Sequence, residues 1–200
     1  MKLGIFASVS ALGLAIGLSA PAVAQDAGES GDDIVVTATR VESLASKTPI
    51  ALTAIPGAEL TSKGATDASL LPNLVPNLAI HRVTSGLQVT IRGVTSSDTT
   101  EKGDPSAAFL VDGVYMARPS DVDVSFFDLN RVEVLCVPQV TLFGRNTTAG
   151  VISVVTARPQ LDGFHASFEG SYGNFEAINT SAMINVPLGE SVAVRGAINY

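Results

Sequence analysis

Apolar and polar positions along this chain follow two different rhythms, and the change falls at Arg158-Pro159. Before it, apolar residues come in short, varied runs. Residues 49–55 alternate weakly and stop at Pro56-Gly57, which predicts a short strand. Residues 58–63 and 67–71 predict short helices, the second capped by Thr66 and ended by Pro72. Leu74, Val75, Leu78 and Ile80 then carry the chain into a core past Pro76-Asn77. Residues 88–92 alternate, Val89 and Ile91 against Gln88, Thr90 and Arg92, until Gly93 breaks the strand. The polar stretch 94–106 predicts a long loop. Phe109-Leu110-Val111 and Val114-Tyr115-Met116 flank Asp112-Gly113, a pair that accepts the positive φ angles of a tight hairpin turn. On that ground Asp112 is a turn residue rather than an acid catalyst. Strands at 131–135 and 151–156, with a short turn or helix at 139–143, complete a small mixed α/β (α+β) domain.

After the change the alternation is regular. Phe164, Ala166, Phe168, Gly170 and Tyr172 share one face, and His165, Ser167, Glu169 and Ser171 the other. Ile178, Ala182, Ile184 and Val186 then oppose Asn179, Ser181 and Asn185, and Val192, Val194, Gly196, Ile198 and Tyr200 oppose Arg195 and Asn199. Segments of about ten residues joined by short turns suit a transmembrane β-barrel, apolar outside and polar inside. Ten residues rising about 3.4 Å each and tilted near 45° span roughly 24 Å, the height of the apolar band. Taken alone, the pattern suits a soluble antiparallel sheet with one face on a core equally well.

The amino terminus bears on that choice. Met1 and Lys2 precede an uncharged apolar run, 3–18, and Ala22-Val23-Ala24 sets small residues before Gln25, the form of a cleaved secretory signal peptide. The run is shorter than the roughly 18 to 20 residues of a spanning helix, which disfavours an anchor. Residues 25–33 are acidic and rich in Gly and Ser, a composition expected to be a disordered tether. Behind them stands a β-branched run beginning Ile34-Val35-Val36-Thr37-Ala38, with no obvious pairing partner nearby in sequence. It reads as a strand seeking a partner or, equally from pattern, as the first strand of the domain. Fully extended, residues 25–48 reach about 80 Å at most.

Composition narrows the chemistry. A net charge of −7 and a pI near 4.7 leave no Lys/Arg cluster to displace counterions, so nucleic acid is not an expected partner. The single cysteine, Cys136, excludes an intramolecular disulfide and reads as an inert small apolar thiol. His81, His165 and Cys136 have no metal-ligand spacing, and no metal or other cofactor is expected. Gly189-Glu190-Ser191-Val192-Ala193 lacks the second glycine of a hydrolase elbow, and no phosphate-cradling glycine motif occurs, so no catalytic residue is assigned. Asn146-Thr147-Thr148 and Asn179-Thr180-Ser181 have the form of glycosylation acceptors but read as turn and strand residues.

The most specific run is Arg131-Val132-Glu133-Val134-Leu135, then Pro138-Gln139 and Thr141-Leu142-Phe143-Gly144-Arg145-Asn146, leading through Ala149-Gly150 into the strand at 151–156. With Ile91-Arg92-Gly93 and Val111-Asp112-Gly113-Val114-Tyr115, it resembles the plug domain of outer-membrane TonB-dependent receptors, gated transporters driven from the inner membrane. The resemblance covers about residues 33–200. It divides the chain into a signal peptide (1–24), a flexible segment with the TonB box (25–48), a plug (49–159) and the start of a β-barrel (160–200), whose apolar side meets outer-membrane lipid. Three strands cannot close a barrel, and the smallest membrane barrels use eight, so the chain is expected to be the front of a longer receptor and not to transport by itself.

The resemblance also implies roles. Ile34, Val35, Val36, Thr37 and Ala38 correspond to the TonB box, which a TonB-type energising protein in the periplasm captures by strand addition. Ser96, Ser97, Asp98, Thr99, Thr100, Glu101, Lys102 and Asp104 correspond to an outward plug loop touching an external small-molecule or metal-chelate ligand, such as a ferric siderophore or cobalamin. Receptors that also signal carry a further folded domain before the box, for which 25–32 is too short. Arg92 matches one of two arginines that seat the plug against barrel glutamates. The chain departs from the family where Leu135-Cys136-Val137-Pro138-Gln139-Val140 replaces Leu-Arg-Gly-Pro-Gln-Gly. Cys136 cannot supply the second charge, which predicts weaker seating. A left-handed backbone at Val137 or Val140 would cost about 1 to 2 kcal/mol each. The competing class is a secreted soluble α/β binding protein or enzyme whose last strands cover its own core.

Overall fold

The computed structural model describes residues 34–200 except 39, 99, 101, 123–124 and 175–177. The expected signal peptide and the tether, 25–33, lie outside the described residues. All described residues belong to one compact unit.

The strand-forming runs assemble one five-stranded mixed sheet. In chain order its members are β3 (Leu52–Pro56), β6 (Ala107–Val111), β7 (Val114–Met116), β8 (Leu129–Leu135) and β9 (Gly150–Thr156), and their spatial order is β3-β8-β9-β6-β7. Only β6 and β9 run parallel. The β6–β7 hairpin turns on Asp112 and Gly113 at φ 48° and 82°, the geometry the dipeptide predicts. The Asp112 carboxylate also accepts bonds from the Thr156 N–H (2.9 Å) and hydroxyl (2.8 Å), tying the turn to the end of β9.

Side chains alternate across a strand, yet this sheet is apolar on both faces, so both must be covered. One face carries Ile55, Phe109, Val132, Val134, Ile152 and Val154. Against it pack Leu60 of α1 (Gly57–Ser62), Ala68 and Leu71 of a 3-10 turn (Ala68–Asn73), and the hairpin β4 (Leu78–Val83) with β5 (Gly86–Ile91). The opposite face carries Ala108, Leu110, Leu135 and Val151, packed with Val36 and Ala38.

Local expectations hold in part. Asp67, rather than Thr66, caps the second turn, its carboxylate accepting from the Ser69 N–H at 2.7 Å, because an aspartate reaches the amide two residues on. Pro72 lies inside that turn; so short a 3-10 run loses little to one missing N–H. Residues 78–83 form a strand where the sequence indicated only core positions. Neither Val137 nor Val140 has positive φ, so the expected strain is absent; Val140 opens α2 (Val140–Phe143), a right-handed conformation that needs no glycine.

The final strands, β10 (His165–Tyr172), β11 (Ile178–Pro187) and β12 (Ala193–Asn199), pair antiparallel in sequence order. Their apolar face is open: Phe168 and Tyr172 are each 76% exposed and Ile198 66%, all on one side of three adjacent strands.

Candidate functional site

The segment 34–38 does not lack a partner. β1 (Val35–Val36) pairs antiparallel with β2 (Ser43–Leu44), and the Ala45 N–H donates to the Ile34 carbonyl at 2.9 Å. A two-residue strand containing a serine carries no β-branched signature, which is why the sequence did not disclose it. Val36 and Ala38 are fully buried on the second face of the sheet, whereas Val35 is 43% exposed and Ile34 partly buried.

Between those two buried residues, Thr37 turns to the sheet. Its N–H (2.9 Å) and hydroxyl (3.1 Å) both donate to Oε1 of Glu133, which also accepts from Arg131 Nε at 2.7 Å. Glu133 is a fully buried carboxylate in the middle of β8, and its Oε2 is buried without a hydrogen-bond partner among the described residues. A buried charge is tolerated only when paired, so Thr37 and Arg131 together keep it in place. Beside this contact lies a polar cavity of about 410 Å³ lined in part by Thr37, Arg40, Arg131 and Arg158. The Arg40 guanidinium sits 5.0 Å from the centre of the Phe143 ring.

The outward loop is exposed and organised by local bonds. Asp98 accepts from the N–H (2.9 Å) and hydroxyl (2.7 Å) of Thr100, and these bonds hold its carboxyl below the usual range, the side-chain bond contributing most. Asp104 accepts from Asn146 Nδ2 at 3.0 Å, and Asn146 also donates to the Tyr115 hydroxyl at 2.8 Å. Ser97, Thr100 and Lys102 are exposed and Ser96 is half-buried; Thr99 and Glu101 lie outside the described residues. Ser96 and Asp98 line a small crevice of about 30 Å³ with Phe109, Met116 and Val122, near the buried Ser106 hydroxyl.

Arg92 lies just past β5 at φ 51°, exposed, its N–H donating to the Asn77 carbonyl at 2.8 Å. Cys136, only 9% exposed, packs in the larger core, so position 136 contributes packing here. Burial pushes its thiol pKa up and the nearby Arg92 charge only partly offsets this. The unfolded thiol therefore ionises first, and this group's contribution to stability is full below about pH 8.5 and falls as pH rises beyond it. Native protein at pH 8 should react with a maleimide at least about 100-fold more slowly than urea-unfolded protein, since only the exposed thiolate attacks. Equal rates would place the thiol at the surface.

Two polar contacts of the final strands were not singled out from the sequence. The Arg195 guanidinium of β12 forms a two-pronged bond with the Asp128 carboxylate, Nε to Oδ2 at 2.8 Å and Nη2 to Oδ1. Asn185 of β11, fully buried, accepts from the Gln160 N–H (2.9 Å) and donates to the carbonyls of Gln160 (2.9 Å) and Gly163 (3.1 Å). Their only sequence signal is a place on the polar side of otherwise apolar alternation.

Comparison with known proteins bears on this arrangement of plug sheet, docked amino-terminal segment and open wall. The family model for the TonB-dependent Receptor Plug Domain matches residues 45–151, more than half of the chain. The chain belongs to the TonB-dependent receptors. The pesticin receptor of Yersinia pestis is 32% identical over 148 residues, covering 72% of this chain and 22% of the relative. This TonB-dependent receptor chain thus spans about a fifth of the length of the curated relatives it matches. In fold it is similar to the ferric yersiniabactin uptake receptor of Yersinia pestis, with a TM-score of 0.64 and 24% identity over 78% of this chain and 24% of that one. It is likewise similar to the outer-membrane ferripyoverdine receptor of Pseudomonas aeruginosa bound to ferripyoverdine, with a TM-score of 0.65 and 20% identity over 82% and 21% of the two chains. The first of these structures is of an uptake receptor and the second of an outer-membrane receptor, and the TonB-dependent receptor plug accounts for the mixed sheet with a few short helices that precedes the antiparallel strands.

Proposed function

We propose that this chain supplies the plug and first wall strands of a transporter that imports an external small molecule or metal chelate, of the ferric-siderophore or cobalamin class, across the outer membrane. Residues 1–24 are the signal peptide, 25–48 the flexible segment with the box, 49–159 the plug and 160–200 the opening strands of the barrel, whose apolar side meets lipid. A TonB-type protein in the periplasm captures residues 34–38 by strand addition. The loop carrying Ser96, Asp98, Lys102 and Asp104 meets the ligand from above, and Arg92 helps to seat the plug. The protein does no covalent chemistry and needs no cofactor.

The observation that supports this reading best is the way the segment is held. Its backbone ladder to β2 is two residues long, and one buried carboxylate receives Thr37. Each bond to a charged acceptor contributes about 1.5 to 3 kcal/mol, and burial of Val36 a similar amount. A competing strand partner offering several main-chain bonds is on the same scale, so the segment is removable. Deleting residues 34–38 from the membrane-inserted receptor is expected to abolish energised uptake of a labelled ferric siderophore that supports growth of the host, while surface binding of that chelate persists. Unimpaired uptake by the deletion variant, or recovery of the wild-type protein in the soluble periplasmic extract, would overturn the proposal.

A further inference from the structure

Plug and wall meet through polar groups drawn from distant parts of the chain. Asp128 stands immediately before β8 at φ 49°, and its carbonyl accepts from the Ala157 N–H at 2.9 Å, so its backbone is fixed to the end of β9 as well. Its carboxylate holds Arg195 with both oxygens, and the two side chains are only 17% and 11% exposed. Arg195 lies directly across the ladder from Asn185, which grips the backbone where the chain passes from plug to wall. Along the same strands Ile184 and Val194 point the other way and are exposed. The two inward residues therefore form one patch on the polar side of β11 and β12: the plug binds it at Asp128, and Asn185 beside it fixes the first wall residues through Gln160 and Gly163.

We infer that Asp128, Arg195 and Asn185 form the seat that holds this plug closed against its wall. The inference rests on the reading of β10–β12 as barrel wall and adds the contact about which the plug is fixed. A two-pronged carboxylate–guanidinium bond constrains orientation as well as distance, which a single hydrogen bond does not. Its desolvated position makes loss of either partner unfavourable for the one that remains. The strand leaving Asp128 is also the strand that carries Arg131 and Glu133, so Asp128 and the holder of the amino-terminal segment lie five residues apart along the chain. When that segment is pulled, the seat is the fixed end and the plug opens elsewhere along the wall.

The test uses the receptor in the outer membrane of whole cells and asks whether the closed plug excludes vancomycin. Asp128→Asn and Arg195→Gln, each alone, are expected to lower the inhibitory concentration of vancomycin about tenfold, at unchanged amounts of heat-modifiable folded barrel. The exchanged pair, Asp128→Arg with Arg195→Asp, is expected to restore exclusion, which general destabilisation of plug or barrel would not produce. Single variants that exclude vancomycin as well as the parent, or an exchanged pair that leaks as much as the singles, would overturn the seat. Absence of the parent protein from the outer membrane would overturn the reading of the wall and the seat with it.

Discussion

Replacing Glu133 by alanine is expected to release the amino-terminal segment and to lower plug stability by about 3 to 5 kcal/mol. The substitution removes the acceptor of both Thr37 bonds and strands Arg131, whose side chain is only 11% exposed. Asn130 Oδ1 still accepts from Arg131 at 2.7 Å but brings no charge. Amide exchange at Thr37 reads the release directly, since its N–H donates to Glu133 at 2.9 Å. A loss of about 2.8 kcal/mol in local protection corresponds to roughly a hundredfold faster exchange, at tenfold for each 1.4 kcal/mol. Thr37→Val supplies the control: it keeps the shape and the N–H bond, loses only the hydroxyl bond at 3.1 Å, and should cost about 1 kcal/mol. The same Glu133 variant should let a TonB-type protein capture the segment without external ligand. Unchanged exchange at Thr37 in the Glu133→Ala protein would show that Val36 and Ala38 hold the segment by themselves.

Gly150→Ala is expected to be more damaging still, by more than about 4 kcal/mol. Gly150 opens β9 at φ 152°, and a Cβ there would stand 2.1 Å from the Leu135 carbonyl oxygen and 3.0 Å from Ile91 Cδ1. The first contact is with backbone in the middle of the sheet, so relief requires β8 and β9 to separate. These two strands are the centre of both apolar clusters, through Val132, Val134 and Ile152 on one side and Leu135 and Val151 on the other. Urea unfolding of the plug, followed by near-ultraviolet circular dichroism, should show the transition displaced to low urea or lost. A variant with a parental midpoint would mean that the strand pair yields without cost. Gly144, at φ 82° and ψ −153° with no atom within 4 Å of its would-be Cβ, offers a comparison: alanine there meets only backbone strain, about 1 to 3 kcal/mol.

Elements with a dense local signal were legible in the sequence. Asp112-Gly113 announced its hairpin because two positive-φ positions are sterically costly for other residues. The run 131–135 and the run 151–156 announced strands, and the alternation after Phe164 announced strands with one apolar face. Less legible were features defined by two or three residues. The strand at Ser43–Leu44 is too short to show a period, and the cap at Asp67 competes with the equally suitable Thr66 one position earlier. Strain at Val137 and Val140 was inferred from what relatives place there; the chain meets those positions without positive φ. Thr37, which bonds Glu133, and Asp128, which bonds Arg195, lie 96 and 67 residues away, beyond any local pattern.

By itself the sequence determined most of the longer strands, which of their faces are apolar, and which family the chain resembles, because steric preferences and side-chain alternation act over a few residues. Tertiary structure alone decided what covers the second face, and that the same β-branched run carries Thr37 to a buried carboxylate. It likewise decided that plug and wall meet through Asp128 and Arg195. A buried charge draws its partner from whatever the folded chain brings within about 3 Å, a condition set by packing in space and not by neighbourhood in sequence.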